Sequence, residues 1–216
     1  MKYLTYKLFF TLFIVTGICF SIFTSCEKEK DTVFLADKIE PISSNIVYTD
    51  VNPDSVIRIN NSYYDLDLNN DGVNDFKFRV YTYKSRCTPT ECGSGLINSV
   101  SASISNGSIN QIELDGLYPA SLDSSAKINV NKTWSTPTGF LTLRWVKYCC
   151  GHFYKGNWAE PEVFKYLGLK LIVGSKTYYG WIRLRVVANG PGTSVTIKDF
   201  AYNRISNQQI RAGQRY

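Results

Sequence analysis

Residues 76–83 read Phe-Lys-Phe-Arg-Val-Tyr-Thr-Tyr, so apolar or aromatic side chains alternate with polar ones except where Val80 and Tyr81 adjoin. Successive side chains of a strand point to opposite faces, and this period of two is the mark of a strand with one face on a core. The same signal recurs at 56–59, 64–68, 100–105, 109–114, 128–130, 140–146, 166–173, 178–187 and 194–200. Between these segments stand Asn106-Gly107, Asp115-Gly116, Gly174-Ser175 and Asn189-Gly190-Pro191-Gly192, the residue types that accept tight turns. No window after the N-terminal apolar run sustains a helical period. Short strands separated by frequent turns predict an all-β fold, an antiparallel β-sandwich, with an open β-barrel as the alternative.

The N-terminus is of another kind. Lys2 and Lys7 introduce an apolar run over residues 8–23, which closes on Phe23-Thr24-Ser25-Cys26. A basic start, an apolar stretch too short for a comfortable span and small residues before a cysteine describe a signal peptide. The motif resembles the lipobox of bacterial lipoproteins, which implies cleavage before Cys26 and acylation of its thiol. Glu27-Lys28-Glu29-Lys30-Asp31 is a charged tether that has little to bury. It is similar to the segment that follows the acylated cysteine in surface-exposed lipoproteins of Bacteroidota-type bacteria. The expected organisation is a signal peptide over 1–25, an acylated cysteine and linker over 26–45, and a β-domain over 46–216. The resemblance implies an outer-membrane lipoprotein of the bacterial envelope, held to the membrane by lipid alone, on either the surface or the periplasmic side.

Without residues 1–25 the chain carries 22 basic and 18 acidic side chains, a balance of +4 that gives no footprint for nucleic acid. The distribution is uneven. Residues 26–126 hold 8 basic and 15 acidic side chains, whereas residues 127–216 hold 14 basic and 3 acidic. Halves of one domain that interleave in space neutralise each other. Two separate lobes would instead leave a basic C-terminal surface for an anionic partner.

The densest chemistry lies in Asp67-Leu68-Asn69-Asn70-Asp71-Gly72-Val73-Asn74-Asp75. Counting from Asp67, oxygen side chains fall at positions 1, 3, 5 and 9 (Asp67, Asn69, Asp71, Asp75), with glycine at 6 and the Val73 carbonyl at 7. Calcium takes six to eight hard oxygen ligands, and alternate residues of a tight loop converge on one ion when a glycine permits the turn. An EF-hand would place a bidentate glutamate at position 12, where Phe78 stands, and would flank the loop with helices. The spacing resembles the calcium hairpins of integrin-like propeller repeats, in which the loop joins two strands. A structural Ca²⁺ is expected here, with Asp65 as an extra or outer ligand. The competing reading is an Asn/Asp/Gly-rich turn that tolerates left-handed backbone.

With Cys19 in the signal peptide and Cys26 acylated, Cys87, Cys92, Cys149 and Cys150 remain. An envelope compartment favours disulfides. A bond between adjacent cysteines closes a strained ring, so Cys149 and Cys150 are each expected to pair with one of Cys87 and Cys92. Zinc held by these thiolates and His152 is the alternative. Catalytic signals are sparse: the chain has one histidine, no Gly-x-Ser-x-Gly elbow and no His-Glu-x-x-His helix. Glu160 and Glu162, beside Trp158, are the candidate pair for a surface carbohydrate-processing enzyme.

Binding rests on aromatic residues. Tyr148, Phe153, Tyr154 and Trp158 cluster with His152, Lys147 and Lys155 in a composition suited to stacking on sugar faces or to holding a surface protein. Tyr179-Gly180-Trp181-Ile182-Arg183-Leu184, Asp199-Phe200-Ala201-Tyr202 and Ala212-Gly213-Gln214 are similar to the C-terminal half of uncharacterised secreted all-β bacterial proteins. That resemblance implies a secreted β-domain without an assigned chemistry. The expected function is a binding or structural module, with glycans among its candidate ligands.

Overall fold

The regular elements of the computed structural model are strands, and it describes residues 45–85, 95–105, 107–136, 138–147, 151–159, 162–188 and 192–216. In chain order they are β1 (Ile46–Ile57), β2 (Tyr63–Leu66), β3 (Phe76–Ser85), β4 (Gly95–Ile104), β5 (Gln111–Asp115), β6 (Tyr118–Pro119) and β7 (Lys127–Ile128). There follow β8 (Thr133–Ser135), β9 (Gly139–Lys147), β10 (Gly151–Lys155), β11 (Lys165–Val173), β12 (Lys176–Val187), β13 (Ser194–Asn203) and β14 (Ile210–Arg211). The larger sheet runs β1-β13-β12-β11-β5-β6 with β8 paired to β5, and the smaller runs β10-β9-β4-β3-β2. All pairings are antiparallel and neither sheet closes, so the fold is a sandwich rather than a barrel.

The alternation in β3 has its expected consequence. Phe76, Phe78 and Val80 point inward and join Leu167, Leu169 and Leu171 of β11, Ile182, Leu184 and Val186 of β12, and Val195 and Ile197 of β13 in one buried cluster. Each such side chain contributes about 1.5–3 kcal/mol of burial, which makes this cluster the main cohesive force between the sheets. Gly180 lies on the inner side of β12, where an added Cβ would press on Leu68 and on the Ala201 carbonyl, so only glycine lets β2's extension approach.

The two sheets differ on their outward faces. The larger sheet turns Tyr179 and Trp181 outward into a second buried cluster with Ile46, Ile128, Ala201, Ile210 and Ala212. The small β14–β7 pair supplies part of that cover, and the Trp181 indole donates to the Gln214 carbonyl at 3.1 Å. Above the same face Asp199, fully buried, accepts from Arg183, from Arg215 at 3.0 Å and from the Tyr48 hydroxyl at 2.9 Å. The larger sheet is thus covered on both sides, whereas the outward face of the smaller sheet keeps Tyr63, Tyr81, Phe140 and Phe153 exposed.

Two elements depart from the sequence expectation. The first strand begins at Ile46, ten residues before the first expected segment at 56–59, and β1 passes through an irregular register between Asp50 and Ser55 that hides its alternation. Residues 151–155 form β10, all five exposed, where the glycine-rich composition points to loop. The oppositely charged halves interleave: β1 pairs with β13 and β5 with β11 in the larger sheet, and β4 pairs with β9 in the smaller. Ion pairs such as Lys132–Glu113 at 3.1 Å and Lys198–Asp54 at 3.5 Å join one half to the other.

Candidate functional site

The oxygen-rich loop is the turn of the β2–β3 hairpin, whose last pair is Leu66 and Phe76. Asn70 and Gly72 adopt left-handed backbone, φ 58° and 88°, which a β-branched or bulky residue would resist. The loop folds around its own carboxylates. Asp67 accepts from the amides of Asp71 at 3.1 Å and Gly72 at 2.6 Å; Asn69 Oδ1 accepts from the Asp71 amide at 3.2 Å; and Asp71 accepts from the Val73 amide at 2.9 Å. The Asn69 amide donates to Asp71 at 2.9 Å, which brings the side chains at positions 1, 3 and 5 to one side of the turn.

Asp75 goes elsewhere. Its carboxylate is buried, accepts from the Leu68 amide at 2.8 Å and from the Asn110 side chain at 3.2 Å, and so ties the hairpin to the interior. Asn110 in turn accepts from the Ile172 amide at 2.8 Å, which extends the tie to β11. Burial raises the Asp75 pKa, the two hydrogen bonds oppose the rise, and the charges of Asp67 and Asp71 add to it. Asp65 is turned to the face of the sheet, where it pairs with Lys77 at 3.1 Å rather than joining the loop. Among the described residues no three His, Cys, Asp or Glu side chains form a metal-binding group. The oxygens gathered by the turn are those of two carboxylates and one amide. This all-oxygen set fits calcium in chemistry, with Asp75 at the position that commonly reaches the ion through water.

Among the described residues, Phe153, Tyr154 and Trp158 are not brought together as one platform. Trp158 is buried in the inter-sheet core, and its indole donates to the Ala120 carbonyl at 3.1 Å. Phe153 and Tyr154 are neighbours on β10, so strand geometry sends them to opposite faces of the sheet. Tyr154 accepts from Arg144 at 3.1 Å, and the same guanidinium lies 3.1 Å from His152 Nδ1. Phe153 stands opposite Trp145 on the outward face.

A broader surface is built there by register. Residues directly opposite across antiparallel strands share a face, and three rows follow. Tyr83, Ile97, Trp145 and Phe153 form the first row; Tyr81, Ser99, Leu143 and Lys155 the second; Tyr63, Arg79, Ser101 and Phe140 the third. Lys77 and Ser103 continue the third row toward the loop. The central strand β4 therefore contributes a line of serines, with Tyr81 and Tyr83 rising on one side and Phe140 on the other. Ser99 is 1% exposed although it faces outward, because the larger side chains around it form walls. The tyrosine rings lie 5.3 Å apart and tilted by 38°.

Two cavities of about 410 and 480 Å³ lie along this trough and share Arg79 and Ser101. The first extends past Ser103 to Asn74 of the loop, and the second reaches Tyr81, Tyr83 and Phe140. Within it the Ser99 and Ser103 hydroxyls donate to the Tyr81 and Lys77 carbonyls at 3.3 and 3.4 Å. Arg79 Nε is buried without a hydrogen-bond partner. The arrangement offers flat aromatic faces, hydroxyl oxygens and a cationic donor along one channel. Its sequence signal lay in β3 itself, where Arg79, Tyr81 and Tyr83 occupy the polar phase of the alternation.

Cys26, Cys87, Cys92, Cys149, Cys150, Tyr148 and Glu160 lie outside the described residues, as do residues 1–44 with the signal peptide and tether. Glu162 is described and exposed. No protein-family model, curated protein or solved structure matches this chain.

Proposed function

We propose that this chain is an envelope-anchored lipoprotein whose sandwich acts as a glycan-binding module, braced by calcium at the β2–β3 turn. The observation that carries the reading is the outward face of the smaller sheet, where tyrosines and a phenylalanine remain exposed beside a serine-floored trough. Sugar rings present apolar C–H faces and a rim of hydroxyls. Aromatic walls match the first, and serine hydroxyls with a guanidinium match the second. The Cys26 motif and the charged tether after it support lipid anchoring, and the self-folded Asp67–Asn69–Asp71 turn supports a calcium brace.

The test is binding of the full chain, purified in detergent, to a panel of neutral and acidic oligosaccharides measured by calorimetry, with a Tyr81→Ala, Phe140→Ala double variant as control. Binding that the double variant loses while its melting temperature holds supports the module. Absence of binding across the panel, or binding that the double variant retains, overturns it.

A further inference from the structure

The trough is not electrically neutral. Along its described outward positions stand Lys77, Arg79 and Lys155 against the single carboxylate of Asp65. Lys77 is taken up by Asp65 at 3.1 Å and lies over the Tyr63 ring, 3.9 Å from its centroid. Arg79 is differently placed. It lies at the junction of the two cavities, its Nε is buried with no acceptor, and its guanidinium carbon is 5.8 Å from the Tyr63 centroid.

The Nε itself is out of a ligand's reach, but the arginine is only partly buried and lines both cavities, so the outer end of its guanidinium is the part that an acceptor from outside meets. The end of a guanidinium, its two Nη nitrogens, matches the two oxygens of a carboxylate in a planar, bidentate pair. Tyr81 and Phe140 flank that point across the serine line, with the spacing of the second and third rows. We infer that this face selects an acidic polysaccharide whose sugar rings carry carboxylates, with Arg79 receiving a uronate carboxylate while neighbouring rings stack on Tyr81 and Phe140. This rests on the glycan-binding reading above and adds the ligand class and the residue that sets it.

The deciding comparison uses the full chain in detergent with three probes: a galacturonate hexamer, the same hexamer fully methyl-esterified, and cellohexaose. Esterification removes the charge and leaves the sugar faces in place. The acid form should bind at least about tenfold more tightly than the ester, as a charge-assisted pair requires. Arg79→Gln should lose the preference and bind acid and ester within about twofold of each other, whereas a merely structural arginine would leave the acid-to-ester ratio unchanged. Tyr81→Ala should weaken both probes together. Equal affinity of wild-type protein for acid and ester overturns the selectivity and leaves the module standing, whereas no binding of any probe overturns both. The wild-type comparison needs no variant to fold.

Discussion

Removing calcium should destabilise the sandwich by a small and calculable amount. The turn offers two carboxylates, the half-buried Asp67 and the exposed Asp71, with the Asn69 oxygen, while Asp75 is engaged with the Leu68 amide and Asn110. So few charges on a solvent-exposed turn point to a dissociation constant of about 10⁻⁴–10⁻³ M, as in extracellular modules. At about 10 mM free calcium the ratio of ligand to constant is then roughly 10–100, and linkage adds about 1.4–2.7 kcal/mol to the folded state. For a unit of this size each kcal/mol moves the midpoint by roughly 2–4 °C, so the melting temperature should rise by roughly 3–10 °C. Differential scanning calorimetry of the full chain in detergent, with calcium and with excess chelator, reads this directly. Asp71→Ala loses the bonds to the Val73 amide and Asn69, but these are exposed and the repulsion with Asp67 is relieved. Its metal-free stability should therefore stay within about 1 kcal/mol of wild type, and its calcium response should vanish. A flat calcium response in wild type, or a full response in Asp71→Ala, would refute the argument.

Other tests address the fold. Asp199→Ala leaves Arg183 and Arg215 facing an empty site on the covered sheet, and urea denaturation should report a loss of about 3–5 kcal/mol. Trp158→Ala should cost about 3–5 kcal/mol through the cavity left between the sheets, with saccharide affinity per folded molecule unchanged. Glu113 is buried beneath Lys132, and burial raises its pKa despite the lysine. Its folded-state value thus lies above its unfolded one, so the folded state holds the proton more tightly and stability falls as pH climbs from the ordinary glutamate range to the raised value. Glu113→Gln should flatten that part of the stability–pH curve; an unchanged slope would show that the carboxylate is not strained by burial.

The strands were legible where alternation survives locally. The expectation over 76–83 became β3 (Phe76–Ser85), and those over 166–173 and 178–187 became β11 and β12 within two residues. β10 was hidden because all its side chains are exposed, which leaves no inward phase to detect. β1 was hidden in part because the register shifts between Asp50 and Ser55. The loop's spacing was legible, yet the inward turn of Asp75 depends on Asn110, which lies 35 residues away. The trough was legible only in fragments. Ser99 becomes a floor because Tyr81 and Leu143, from two other strands, stand beside it, and registers between distant segments do not show in any local window.

The proposed calcium site and the trough share one hairpin, and this gives a further expectation. β2 is the edge strand of the smaller sheet and has β3 as its partner, so the turn between them adds to the pairing and the buried Leu66 in setting its position. That hairpin carries Tyr63, Asp65, Lys77 and Arg79, and the cavity that holds Arg79 extends to Asn74 in the turn itself. If an ion fixes the turn, it also fixes the geometry in which the Arg79 guanidinium would meet a carboxylate, so weaker binding of the proposed ion should mean weaker binding of the proposed saccharide. Linkage makes the effect reciprocal, and coupling of about 1 kcal/mol would change either affinity about fivefold. A short uronate trimer should be used, since longer acidic chains cross-link with calcium. Its affinity should drop severalfold on chelation in wild type, whereas Asp71→Ala should bind it weakly with or without calcium. Affinity that ignores calcium in wild type would separate the two sites, and a calcium dependence that persists in Asp71→Ala would place the ion in the trough with the ligand rather than in the turn.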